Sequence, residues 1–218
     1  MPANRLELLA TWYLRFNGFF TTPNFTEHPD YRKQPGGTDA DVLAVRFPYS
    51  EERQRRFVFE RDGDLIRPDR VDFLICEVKR GKCGLNDTWR KPERHSVEYA
   101  IRFMGFDGGN GRISEMAATV YKSGCFEWAQ QALSARFCVR FVCFGAVRNL
   151  ELESDLPGAQ QILHKEQVIE FLRGRFTKGC EGITRENWDP EIIKFAELCR
   201  TKSNEQLFEW AIESRATS

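Results

Sequence analysis

In the run Asp72-Phe73-Leu74-Ile75-Cys76-Glu77-Val78-Lys79, a carboxylate and an ammonium stand two residues apart among apolar neighbours. If this run is a strand, its side chains alternate between faces. Glu77 and Lys79 then project from one face, while Leu74, Cys76 and Val78 point the other way into a core. Charges on an apolar strand are costly to bury unless they are paired or metal-bound. A plain Glu–Lys pair at the rim of a sheet would satisfy that condition. So would one half of a catalytic centre.

Asp41 supplies the other half. It opens Asp41-Val42-Leu43-Ala44-Val45-Arg46-Phe47, the other strongly apolar run upstream, after Gly36-Gly37. If the two strands pair, Asp41 and Glu77 converge. Two adjacent carboxylates repel unless a cation joins them. Magnesium suits such a place, because it takes one or two carboxylates and keeps several waters. It would polarise a phosphoryl oxygen, acidify an attacking water and stabilise the leaving oxygen. Lys79 would orient or deprotonate that water and offset charge in the transition state. The plainer reading of Asp41 is a solvent-facing strand start, or a turn residue beside Asp39.

Several elements must position these residues. Leu6, Leu9, Tyr13 and Phe16 recur at helical spacing, which predicts a helix over residues 4–17 that stops at Asn17-Gly18. Residues 19–25 read as a strand or extended segment, kept short by Pro23. A polar loop rich in Pro and Gly leads to the strand opened by Asp41. Residues 48–70 are highly charged and read as an insertion, a mobile loop or a hairpin extension. Val71 to Val78 is the strongest strand signal. A loop follows to about Pro92, then a helix to about Phe103, a glycine-rich loop, and a helix over 112–123. Residues 136–146 form another apolar strand, and residues 152–161 read as a connector around Pro157-Gly158. Helices are expected over 165–176, 189–200 and 203–215. The last opens on Ser203-Asn204-Glu205-Gln206, which has capping-box spacing. Arg173 and Arg175 are expected to face solvent, with nucleic acid as the alternative. The order predicts a mixed α/β core over 1–150 and a helical extension over 151–218 packed on it.

The order helix, Gly-rich loop, Asp-opened strand and Glu-x-Lys strand resembles the PD-(D/E)XK (restriction-endonuclease-like) nuclease superfamily over residues 4–146. The matching residues are Asp41 for the first acid and Glu77 and Lys79 for the signature. Ala40 replaces the proline that usually precedes the first acid, which leaves Asp39 as a competitor for that role. Glu7 resembles the additional helix carboxylate of many members. The resemblance implies a central mixed sheet flanked by helices, and a Mg2+ (or Mn2+) ion held by Asp41, Glu77 and the Val78 carbonyl. It implies hydrolysis of phosphodiester bonds, most readily in DNA, with RNA as the other substrate. A homodimer, or a subunit of a larger assembly such as a bacterial anti-phage or restriction system, fits by analogy only. The competing class is a non-catalytic nucleic-acid-binding or scaffold subunit that keeps the fold. In the basic stretch after the signature, Lys82, Arg90, Lys91 and Arg94 either track phosphates or belong to a solvated loop. Trp89 is expected in the core.

Bulk properties are compatible with this reading. The 218 residues are 41% hydrophobic and 29% charged, with zero net charge. Polybasic binders are therefore disfavoured, although a local basic face would still meet phosphates. No segment approaches the roughly 20 apolar residues of a membrane span, and the start lacks a signal-peptide pattern, so the cytoplasm is expected. Seven cysteines without a Cys-x-x-Cys, and three scattered histidines (His28, His95, His164), do not have the spacing of a zinc site. The cysteines read as small hydrophobes in a reduced chain.

Overall fold

A computed structural model describes residues 4–26, 39–49, 53–54, 57–58, 61–106, 109–130, 135–178 and 188–213. The Gly-rich stretch up to Thr38, His28, Cys180, the side chain of Asp39 and much of the charged segment 48–70 lie outside the described residues. The strands are β1 (Phe20–Thr26), β2 (Asp39–Arg46), β3 (Arg53–Gln54), β4 (Phe57–Val58), β5 (Val71–Val78), β6 (Cys125–Gln130), β7 (Ala135–Gly145) and β8 (Gln160–Leu163). The α-helices are α1 (Arg5–Phe16), α2 (Ser96–Phe103), α3 (Gly109–Ser123), α4 (Leu150–Asp155), α5 (Glu170–Lys178), α6 (Pro190–Leu198) and α7 (Asn204–Ile212).

Six strands form one mixed sheet in the order β1-β2-β5-β7-β6, with β8 also paired to β7. The β2–β5 pair is antiparallel, and β5–β7 and β7–β8 are parallel. β3 and β4 form a separate two-stranded hairpin within the charged segment.

Both faces of the sheet are covered. Leu74, Cys76 and Val78 pack into a core shared with α1, α5, α6 and α7. Phe73 and Ile75 pack into a second core with α2 and α3. A strand buried on both faces reads as a continuous apolar run, which is why β5 stood out in the sequence.

Two strands differ from expectation. β6 alternates Phe126 and Trp128 with Cys125 and Glu127, a half-buried edge pattern too short to stand out. The expected connector at 152–161 takes in most of α4 and the start of β8. β8 thus carries the sheet past residue 150, so the helical part and the core share one sheet and one hydrophobic cluster. Arg175 also departs from expectation. It is buried, donates to the Phe16 carbonyl at 3.1 Å, and lies over the Phe16 and Phe171 rings. Its aliphatic stem fills the core, and a backbone carbonyl takes its charge. Arg173 is half-buried and donates to Asn204 at 3.1 Å.

The α7 capping box forms as read, with Ser203 and Gln206 bonding each other's backbone N–H groups. Among the described residues, no helix is long and apolar enough to cross a membrane.

Candidate active site

The sheet carries Asp41 and Glu77 to one end of adjacent strands. The β2–β5 register pairs Leu43 with Ile75 and Val42 with Cys76. One step further sets Asp41 opposite Glu77, and opposed residues of an antiparallel pair share a face. Asp41 Oδ2 accepts the Val78 N–H at 2.6 Å, so the aspartate grips the backbone next to Glu77.

Glu77 is fully buried and its carboxylate is well satisfied. Oε2 accepts from Lys79 Nζ at 2.6 Å. Oε1 accepts from Trp89 Nε1 at 2.7 Å and Asn86 Nδ2 at 3.1 Å. Asn86 also accepts from Lys79 Nζ through Oδ1 at 2.7 Å. Burial pushes the Glu77 carboxyl up to about 7; Lys79 and Trp89 pull it down and Asp41 pushes it up. Glu7, in the first turn of α1, is also held above its ordinary value. Burial is the main cause and repulsion by Asp41 adds to it, while its bond from Asn4 and the charge of Lys79 oppose them. Glu7, Asp41, Glu77 and Lys79 therefore form one electrostatic group, although α1 packs on the opposite face of the sheet from Glu77.

Three residues of this site carried no sequence-level signal for their roles. Asn86 and Trp89 stand in the loop and short 3-10 helix after β5, and both turn back onto Glu77. Trp89 is in the core, as expected, but its indole N–H serves the carboxylate. His164 Nε2 lies 2.9 Å from the Lys79 carbonyl, while its Nδ1 is buried without a partner. A carbonyl only accepts, so Nε2 carries the proton. Burial lowers the pKa of His164 and favours this neutral form. The ring stacks between Phe144 and Phe208 at the start of a π-helical turn, His164–Ile169. Such turns often occur at functional sites.

The turn after Lys79 is pinned by close backbone approach. The Gly81 carbonyl accepts the Ala146 N–H at 2.6 Å. A Cβ added at Gly145 would lie 2.7 Å from the Cys83 nitrogen and 2.9 Å from the Gly81 oxygen. Gly145→Ala is expected to cost about 1–3 kcal/mol and to lift this turn off β7. Thermal unfolding measures the cost.

The basic residues after the signature are not a bare positive track. Lys82 pairs with Glu151 at 3.1 Å, Arg90 with Asp155 at 2.5 Å and Lys91 with Asp87 at 3.9 Å. Arg94 is half-buried and also engaged.

The donor set fits a hard divalent cation in kind: oxygen ligands, carboxyl groups of Glu7 and Glu77 raised by burial and, to a lesser degree, by Asp41, and an ammonium nearby. The ligating oxygens of Glu7, Asp41 and Glu77 do not all fall within 4.8 Å of one another. The set that meets this condition among the described residues is Cys125, Glu127 and Cys138. Glu7 also borders a cleft of about 430 Å³ lined by Thr11, Trp12, Arg15 and Trp188. A larger cleft of about 580 Å³ lies among Phe47, Phe73, Phe106, Trp128 and Arg112, far along the sheet from Glu77. Compared with known protein families, curated proteins and solved structures, the chain matches none.

Proposed function

We propose that the chain is a metal-dependent nuclease with a restriction-endonuclease-like core, hydrolysing phosphodiester bonds in DNA. The observation that carries this reading is the placement of Asp41 opposite Glu77 at one end of the sheet, with Lys79 bonded to Glu77. Mg2+ held by Asp41 and Glu77, with the Val78 carbonyl as a further ligand, would polarise the phosphate and acidify water. Glu7 would add a carboxylate from α1. Lys79 orients the attacking water and offsets charge that develops on the phosphate. Asn86 and Trp89 hold the Glu77 carboxylate in one orientation, and His164 fixes the backbone at Lys79.

A second reading has its own support. Glu77 already accepts three hydrogen bonds, so its charge is met by the protein alone. A nucleic-acid-binding or scaffold subunit that keeps the fold without catalysis would have that arrangement.

Incubation with supercoiled and linear DNA separates the two. Cleavage is expected with Mg2+ or Mn2+ and not with a chelator. Glu77→Ala should remove it while circular dichroism stays native. Cleavage that persists in Glu77→Ala would remove Glu77 from the site.

A further inference from the structure

A second cluster lies at the other end of the sheet, on the opposite face from Glu77. Cys125 and Glu127 share one face of β6, two residues apart, and Glu127 is directly opposite Cys138 on β7. The two sulfurs are 3.6 Å apart. One ligating atom from each of the three residues falls within a common 4.8 Å.

The strand register decides what such a thiol pair can do. Cys125 pairs with Arg140 and Cys138 with Glu127, so the two cysteines are diagonal neighbours. Diagonal Cα atoms lie about 7–8 Å apart, at or beyond the limit of roughly 7 Å for a disulfide without backbone movement. A metal bridge has no such difficulty. With Zn–S bonds of about 2.3 Å, the edge of a tetrahedron is about 3.8 Å, close to the separation seen here.

The surroundings already treat the cluster as a place for positive charge. Arg67 Nη1 lies 3.3 Å from Cys138 Sγ and 3.7 Å from Cys125 Sγ, and it donates to Glu127 Oε1. A single cationic nitrogen thus converges on all three ligand atoms. Arg70 donates to the second Glu127 oxygen at 2.6 Å, and Asp69 links Arg70 to Arg136. The Arg67 side chain is partly exposed and starts from a surface loop, so it has room to swing outward.

We propose that Cys125, Glu127 and Cys138 bind a thiophilic divalent metal ion of the zinc type, displacing the guanidinium of Arg67. Two thiols give up their protons to solvent on binding. Two thiolates, one carboxylate and a divalent ion sum to one negative charge, which Arg70 and the displaced Arg67 offset. Three protein ligands leave one position for water. The ion would clamp β6 against β7. The site is independent of the nuclease reading, since it shares no residue with Asp41, Glu77 or Lys79.

Titration of the reduced, metal-free full chain with Co2+ tests this. The expected result is one equivalent bound, with thiolate-to-cobalt charge-transfer and tetrahedral d–d absorption that Zn2+ competes away. Cys125→Ser, at a partly exposed position, should lose these bands while circular dichroism stays native. Glu127→Gln, on the solvent side, should weaken binding by more than the roughly tenfold cost of losing an outer-shell partner. No charge-transfer band in the parent chain would overturn the proposal. So would bands that survive Cys125→Ser, or an unchanged affinity in Glu127→Gln.

Discussion

Lys79→Ala is expected to lower metal-dependent DNA cleavage by about 10²–10⁴-fold and to move the activity profile to higher pH. The ammonium has two jobs in the proposed reaction. It faces the water and the phosphate, and it is bonded to Glu77 at 2.6 Å. Burial already pushes the Glu77 carboxyl up to about 7, and Lys79 opposes that rise. Without Lys79 the pKa goes further up. A carboxylate must be ionised to hold a metal, so Mg2+ affinity near neutrality falls and recovers as pH increases.

The same linkage affects stability. A carboxyl with a raised folded pKa contributes stability that is fully present below the unfolded value of 4.5 and is lost as pH rises through the folded value, here about 7. Lys79→Ala should therefore be less stable than the parent chain at pH 8, with the deficit shrinking as pH falls towards 5. Lys79→Arg separates the two jobs. Arginine keeps its charge and does not deprotonate. It should hold Glu77 near its parental pKa without restoring the rate. Initial rates across pH 6–9, at subsaturating Mg2+ for the profile shift and at saturating Mg2+ for the rate, with denaturation curves at both ends, check each part. An unchanged rate in Lys79→Ala would confine Lys79 to holding Glu77.

What the sequence disclosed follows from how each signal is encoded. Strand β5 was legible because burial on both faces leaves an uninterrupted apolar run, against which Glu77 and Lys79 stand out. Alternation put the two on one face, and the Lys79–Glu77 bond agrees. Asp41 was legible because it opens a run of the same kind, but its register against Glu77 depends on strand pairing, which no local pattern contains. Asn86, Trp89 and His164 were invisible in their roles for the same reason. Asn86 and Trp89 reach Glu77 because the chain folds back after β5, and His164 reaches Lys79 from 85 positions away. Nor could the sequence show that Lys82 and Arg90 have partners in Glu151 and Asp155, far along the chain, so a phosphate track and a solvated loop stay equally open for the basic run. The cysteines teach a related lesson. Metal-site spacing rules describe ligands close in sequence, whereas Cys125, Glu127 and Cys138 come together only when β6 lies beside β7.

The largest stability loss is expected at a pair of charges that each interrupt an apolar strand. Arg140 on β7 and Asp72 on β5 are both fully buried. The guanidinium binds the carboxylate in two-pronged fashion, Nε to Oδ1 at 3.1 Å and Nη2 to Oδ2 at 2.7 Å. Nη2 also donates to the Leu65 carbonyl at 2.7 Å, and Nη1 to Gln160 on β8. One arginine therefore ties β5, β8 and the loop before β5 to β7. It cannot shed its proton to escape burial. Asp72→Ala leaves that charge in the core with carbonyl-type acceptors only, which should cost about 3–5 kcal/mol. In a chain of this length such a loss lowers the unfolding midpoint by about 10 °C or more. Asp72→Asn, which keeps an acceptor but not the charge, should lose less. The double change Asp72→Leu with Arg140→Met removes both charges and should recover most of the stability, because apolar packing often replaces a buried ion pair without loss. Calorimetry on the four proteins checks the ordering. A double variant no more stable than Asp72→Ala would show that Arg140 matters through its bonds to Leu65 and Gln160, with the ion pair itself contributing little.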